Sequence, residues 1–218
     1  MDTVRIAELL HPFAMSALSP VQLGSISTYI DLLLKWNARM NLTAVRVPEE
    51  MVTRHFGESL FAAQLLFPCP PSGGSVVDVG SGAGFPGLPL KIWNPGIHLT
   101  LIESNQKKAT FLGEVARALT LTDVNVFCGR VEQYDGERAD VVTLRAVERF
   151  ETVLPLAASL VGSTARIALL ISEGQVSTAQ DLAPGFEWGS PSSIPGSSRR
   201  VVFLGARSPV AHPSEPAM

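Results

Sequence analysis

Two carboxylates and a run of glycines are the residues of this chain best suited to chemistry. In "VVDVGSGAGFPGLP", at 76–89, three valines and Asp78 lead into Gly80, Ser81, Gly82, Gly84, Phe85 and Gly87. Glycines let a backbone approach a ligand closely and take positive φ. Glu103 ends the next β-branched run, near the ~20-residue offset at which a ribose-binding acid follows such a loop. Gly82-x-Gly84-x-x-Gly87 matches a dinucleotide fingerprint, but its frame starts two residues late, because Gly80 is the residue that leaves the strand. Asp78 beside the loop is expected to repel a pyrophosphate and favour a cationic ligand. S-adenosylmethionine carries an ammonium and a sulfonium and no phosphate, so it is the expected cofactor, with Asp78 and Glu103 holding it.

The acceptor leaves fewer marks. Exocyclic amine methylation usually needs an Asn/Asp-Pro-Pro-aromatic turn after the fourth strand, where this chain has "DVVTLRAVE". Cytosine C5 methylation needs a cysteine nucleophile, and the "PCP" around Cys69 falls in a linker before the sheet begins. No His-Asp pair suggests a base for an alcohol. Guanine N7 has an exposed lone pair and no proton to lose, so positioning and charge placement suffice there. The missing base motif is consistent with that acceptor.

These residues need elements to carry them. Short β-branched runs at 75–79, 98–103, 125–128, 139–144 and 166–172 alternate with helix-like segments such as "NQKKATFLGEVARAL" and "ERFETVLPLAASL". Strand–helix alternation predicts an α/β fold, a mostly parallel seven-stranded sheet with helices on both faces and ligands at its carboxyl edge. Two further strands near 186–188 and 199–205 form a closing hairpin. The first 70 residues read as helical. In "SISTYIDLLLKWNARMNL", Ile26, Ile30, Leu33, Leu34 and Met40 recur at helical spacing, and Pro48 opens another helix with Glu49 and Glu50 in its first turn. The expected organisation is a helical extension at 1–70, a cofactor-binding domain at 71–206 and a disordered tail at 207–218.

Hydrophobic residues make up 46% of the 218 and charged residues 17%, so most of the chain should fold. No apolar run reaches the roughly 18 residues a membrane span requires, and the first residues show no signal-peptide pattern, so a soluble, cytoplasmic monomer is expected. A net charge of −3 excludes a generally basic nucleic-acid coat and confines any RNA contact to a local patch. Cys69 and Cys128 fit neither a disulfide framework nor a zinc site and read as reduced, buried structural thiols. No metal is expected.

The order of several motifs carries a resemblance: "LLLKWNARMNLTAVR", "RHFGESL", "DVGSGAGFPGLPL", "LIESNQKKATFL", "GRVE" and "LRAV", together spanning about 32–147 and more faintly reaching 199. This combination resembles the bacterial 16S rRNA guanine-N7 methyltransferase family (RsmG, or glucose-inhibited division protein B). The resemblance implies a Rossmann-like class I methyltransferase with a helical N-terminal extension. Its activity would be methyl transfer from S-adenosylmethionine to N7 of a guanine in the 530 loop of 16S rRNA, at position 527, in 16S rRNA or the 30S subunit. It implies cofactor contacts at Gly80, Phe85, Val131, Glu132 and Arg145, to which the loop adds Ser81 and Gly82. It implies RNA contacts at Arg54, His55, Arg145 and Arg199, with Arg200 beside them. Glu58 departs from a usual Asp, Leu144 from a small or polar residue, and Glu173 from a lysine. Arg145 is the strongest functional candidate, for the methionine carboxylate or the target nucleotide. His55 reads as a hydrogen-bonded structural or RNA-contacting group rather than a base, Trp36 as core, and Lys107-Lys108 as an exposed helix face. Methylation of a small molecule, a non-catalytic cofactor-binding role in ribosome assembly, and a nicotinamide oxidoreductase remain as alternatives.

Overall fold

The computed structural model describes residues 1–207. The chain opens with α1 (Thr3–Leu10) and α2 (Pro20–Asn37). Ser19 and Gln22 form a reciprocal capping box at the start of α2, with Pro20 in its first turn. The buried face of α2 is Ile26, Tyr29, Ile30, Leu33 and Asn37, which includes Ile26, Ile30 and Leu33 of the expected stripe but leaves Leu34 only partly buried. The helix stops at Asn37, short of Met40, because the Asn37 side chain takes the amides of Leu42 and Thr43 and turns the chain away.

Next come α3 (Pro48–Met51), a π-helical turn (Val52–Gly57) and α4 (Glu58–Leu66). Pro48 and the acids Glu49 and Glu50 occupy the first turn of α3, as expected. The widened turn carries Arg54 and His55 and ends at Gly57, where a β-carbon would lie 2.8 Å from the Phe13 ring. Such π-turns concentrate at functional positions.

The alternating part follows as β1 (Ser75–Val79), α5 (Gly87–Trp93), β2 (His98–Glu103), α6 (Gln106–Ala118), β3 (Val124–Cys128), β4 (Ala139–Arg145), α7 (Phe150–Ser159), β5 (Val161–Ser172), α8 (Val176–Leu182), β6 (Phe186–Trp188), β7 (Ser192–Ser193) and β8 (Arg200–Arg207). The strand order is β3-β2-β1-β4-β5-β8-β6, with β7 pairing onto β8. The first five strands in that order are parallel, and β8, β6 and β7 are antiparallel. The expected parallel sheet and closing hairpin are both present, and the two-residue β7 is an addition. Of the expected tail, Arg207 closes β8, and 208–218 lie outside the described residues.

Strand alternation divides the core. Val76, Leu99, Leu101 and Val141 face α1, α2 and α4 to α6, whereas Val77, Val79, Val142 and Leu144 face α7 and α8. The N-terminal helices thus share one hydrophobic core with the sheet. Leu144, one of the departures, is fully buried on the second face. Both cysteines are free but exposed, contrary to the buried reading: Cys69 lies in the linker before β1 and Cys128 at the last position of β3, the strand at the edge of the sheet. Among the described residues, no helix is long and apolar enough to cross a membrane.

Candidate functional site

The order of the parallel strands reverses between β1 and β4, and ligands of open α/β sheets bind at that switch point. A cleft of about 520 Å³ opens there, at the carboxyl ends of β1, β2 and β4. Its floor is the glycine loop. Gly82 has φ +56°, and a β-carbon on it would meet nothing closer than the Gly80 carbonyl at 3.8 Å, so its bare side belongs to the cleft. Gly84 has φ +91° for a different reason, since a β-carbon there would strike the Tyr29 hydroxyl and Leu88. That hydroxyl donates to the Ala83 carbonyl, so α2 latches the loop from behind. Phe85 stacks between Tyr29, at 5.4 Å, and His55, at 4.8 Å between centroids.

Glu103 anchors the opposite wall. One carboxylate oxygen accepts the Gly82 amide at 2.8 Å and the other accepts the Asn105 amide at 2.8 Å. Each oxygen keeps a lone pair for a ligand hydroxyl. Val131 and Glu132, just after β3, line the same cleft, as do Gly80, Ser81, Gly82, Phe85 and Arg145.

Asp78 does not line it, which corrects the expectation of a direct ligand contact. Alternation sends its side chain to the Val76 face, where it is completely buried. There the carboxylate accepts the Thr143 hydroxyl at 2.7 Å and the Gly87 amide at 3.2 Å. Burial raises its pKa to about 6, against the lowering effects of Thr143, Ser81, Gly87 and Arg145. Gly87 begins α5, and a helix N-terminus behind a glycine loop is where a pyrophosphate would bind. Asp78 already holds that place. The cleft therefore suits a ligand with hydroxyls and no pyrophosphate.

A second cavity of about 470 Å³ adjoins the first, with Thr43, His55, Arg145, Ala146 and Val147 lining both. Its organising group is Glu58, 4% exposed. One Glu58 oxygen accepts from Arg145 Nη2 at 3.0 Å and Nε at 3.3 Å, and the other pairs with Arg200 Nη1. Arg145 Nη2 also donates to the Arg54 carbonyl at 2.8 Å and lies 3.1 Å from His55 Nδ1. Burial lowers the Arg145 pKa, and the Glu58 charge opposes that shift. Burial is also the first cause holding His55 down to about 3, followed by the charges of Arg145, Arg54 and Arg200. His55 is therefore a neutral, buried ring held by hydrogen bonds at the wall of both cavities.

The remaining candidates separate. Arg54 pairs with Glu50 at 2.8 Å and stays half-exposed, and Arg199 is exposed just before β8. Arg200, its neighbour, is committed to Glu58. Lys107 is exposed, but Lys108 lines the first cleft rather than a solvated face. Trp36 is half-buried against Phe111, with ring centroids 5.6 Å apart. Sequence reasoning missed Thr43 and the hub role of Glu58. The available signals were the Asn-Leu-Thr after α2 and the spacing of Glu58 one helical turn beyond Arg54 and His55.

A family model described as rRNA small subunit methyltransferase G matches residues 22–182. A ribosomal RNA small subunit methyltransferase G from Bacillus pumilus is 41% identical over 150 residues, covering 66% of this chain and 62% of that protein. One from Exiguobacterium is 46% identical over 149 residues, covering 64% and 62%. The match thus spans about three-fifths of the length of these relatives. Among solved structures, a ribosomal protein L11 methylase from Lactobacillus delbrueckii superposes with a TM-score of 0.60 at 12% identity, over 71% of this chain and 78% of that one. TYW2 from M. jannaschii, in complex with AdoMet, gives 0.54 at 16% identity, over 69% and 75%. At such identities the likeness concerns the fold alone, a Rossmann-like α/β sheet flanked by helices.

Proposed function

Because the chain belongs to the rRNA small subunit methyltransferase G family, we propose that it methylates N7 of a guanine in 16S rRNA, using S-adenosylmethionine. The guanine is that of the 530 loop, at position 527, presented in 16S rRNA or the 30S subunit. On this reading the chain works in the cytoplasm as a monomer, and residues 1–70 brace the unit at 71–206.

The observation that carries this reading is the wall common to the two cavities. Donor and acceptor spaces meet at Thr43, His55 and Arg145, and the one titratable ring there is neutral with both nitrogens engaged. A shared wall without a free base suits an acceptor that loses no proton. The cofactor, when bound, supplies an electrophilic methyl on a sulfonium.

This chain's residues supply the rest. Gly80, Ser81 and Gly82 offer bare backbone to the donor, and Glu103 accepts from the ribose hydroxyls. Phe85 and the Val131–Glu132 pair close the walls. Arg145, fixed by Glu58, positions the donor carboxylate or the target nucleotide, and Asp78 holds the loop by its Gly87 bond. Arg54 and Arg199 meet phosphates at the rim, whereas His55 and Arg200 act from beneath by orienting Arg145 and Glu58.

N7-methylguanine mapped in rRNA from a deletion strain tests the proposal. The modification at position 527 should vanish and return with the wild-type gene but not with Gly82→Val. An unchanged modification in the deletion strain would refute it.

A further inference from the structure

We propose that the Thr43 hydroxyl is an obligate hydrogen-bond donor that reads ring position 6 of the acceptor purine and so selects guanine over adenine. The proposal rests on the guanine-N7 reading above and assigns a residue to the recognition of that base.

The chain takes care to place Thr43. Asn37, 6% exposed at the end of α2, accepts the amides of Leu42 at 2.9 Å and Thr43 at 3.1 Å, and donates to the Val45 carbonyl at 3.4 Å. That one side chain fixes the turn after the helix. The turn delivers Thr43 to the wall that both cavities share.

The direction of its hydrogen bond follows from its neighbours. A guanidinium can only donate, so a donor faces His55 Nδ1, 3.1 Å from Arg145 Nη2, and that nitrogen is assigned as the unprotonated one. The ring is neutral, and with Nδ1 facing a donor its single proton is assigned to Nε2. Nε2 then donates to Thr43 Oγ1 across 2.8 Å. The Val45 amide donates to the same oxygen at 3.1 Å. Both lone pairs of the hydroxyl are filled, and its proton is left to give. Among the described residues no acceptor takes it. The unspent bond belongs to an occupant of the cavities.

Guanine presents N7 and O6 as acceptors on one edge, whereas adenine presents N7 and an amino donor. N7 must stay free for the incoming methyl, so position 6 is where the two purines can be told apart on that edge. A hydroxyl with filled lone pairs suits O6. Against an adenine amino group it would set two donors face to face, and unpaired buried polar groups are what give such sites their selectivity.

The test pairs enzyme and substrate changes. Single-turnover N7-methylation and RNA affinity are measured on 16S rRNA ligated to carry guanine, inosine or 2-aminopurine at the target position. Inosine keeps O6 and 2-aminopurine lacks it. Wild type should lose roughly 10- to 100-fold on 2-aminopurine relative to inosine. Thr43→Val should lose a similar factor on guanine with no further loss on 2-aminopurine, while Thr43→Ser stays near wild type. Equal wild-type rates on inosine and 2-aminopurine overturn the proposal, and this arm does not depend on whether Thr43→Val folds. Equal slowing of both substrates by Thr43→Val also overturns it, leaving Thr43 a structural residue and moving the readout to a donor such as Arg145. Failure of wild type to methylate guanine at all brings down the underlying reading instead.

Discussion

The two adjoining cavities are built by different means. The cofactor cleft is made mostly of backbone: three strand ends, a glycine loop, and a Glu103 carboxylate that itself grips two amides. Its neighbour is made of side chains drawn together from Thr43, Glu58, Arg145 and Arg200, and balanced on one carboxylate. The first should withstand most substitutions except those that fill space. The second should fail when its central charge is lost.

The largest effect is therefore expected at Glu58. Glu58→Gln leaves two guanidiniums without their counter-charge, one of them with only 11% of its side chain exposed. Removing one partner of a buried pair costs about 3–5 kcal/mol, so urea unfolding should show a loss near the lower end of that range. RNA methylation should collapse while calorimetric cofactor affinity falls far less. An equal fall in both would erase the distinction between the cavities.

Gly82→Val probes the other construction. Its φ of +56° makes a branched residue strained by roughly 1–2 kcal/mol, yet the site around it is open, so the protein should fold. Cofactor affinity should drop by roughly 100-fold, about 2.7 kcal/mol. Normal affinity would mean that the ligand does not approach this loop.

Asp78 and His55 sharpen the contrast through pH, with opposite signs. Asp78 titrates at about 6 in the fold against an ordinary 3.8, so the folded state holds its proton more tightly. Its contribution is most favourable below pH 3.8 and is lost as pH rises to about 6. His55 titrates at about 3 against 6.5, so the unfolded chain takes its proton first, and stability falls as pH drops through 6.5 toward 3. Asp78→Asn should flatten the first trend and change cofactor affinity less than about tenfold, because the carboxylate acts through the Gly87 amide. His55→Gln should flatten the second. Its single-turnover rate should keep most of the wild-type value and stay level from about pH 6 to 9, as expected without a general base. A steep acid limb that disappears in His55→Gln would restore a catalytic base.

The smallest effect belongs to the rim. Arg199→Ala should weaken RNA binding several-fold, lower the salt slope by about 0.7–0.9, and leave cofactor affinity alone. Parallel losses of RNA and cofactor would join what the structure keeps apart.

The same difference in construction decides what could be read from the sequence. The cleft was legible because its parts are local: valines end in glycines, and Glu103 lies 21 residues beyond Gly82. Even the true orientation of Asp78 was implicit in its alternation with Val77 and Val79. The Glu58 hub joins residues 87 and 142 positions away, and its local cue, a place one helical turn beyond Arg54 and His55, names neither distant partner. The π-helical turn hid it further, since one additional residue per turn shifts every later side chain off the expected helical face. Met40 looked like the next rung of α2 because spacing cannot see a buried asparagine bending the chain back on itself.

The two exposed cysteines lie at opposite ends of the parallel sheet. Cys128 ends β3 next to Gly129, which lines the cofactor cleft, while Cys69 sits in the linker that feeds the amino end of β1. The wild-type chain thus already contains a matched pair of attachment points for thiol-reactive dyes. A fluorophore on Cys128, with Cys69 changed to serine, would report occupancy of the cleft by its brightness. The converse derivative would serve as its silent control, and a dye on each would make an optical ruler along the strands.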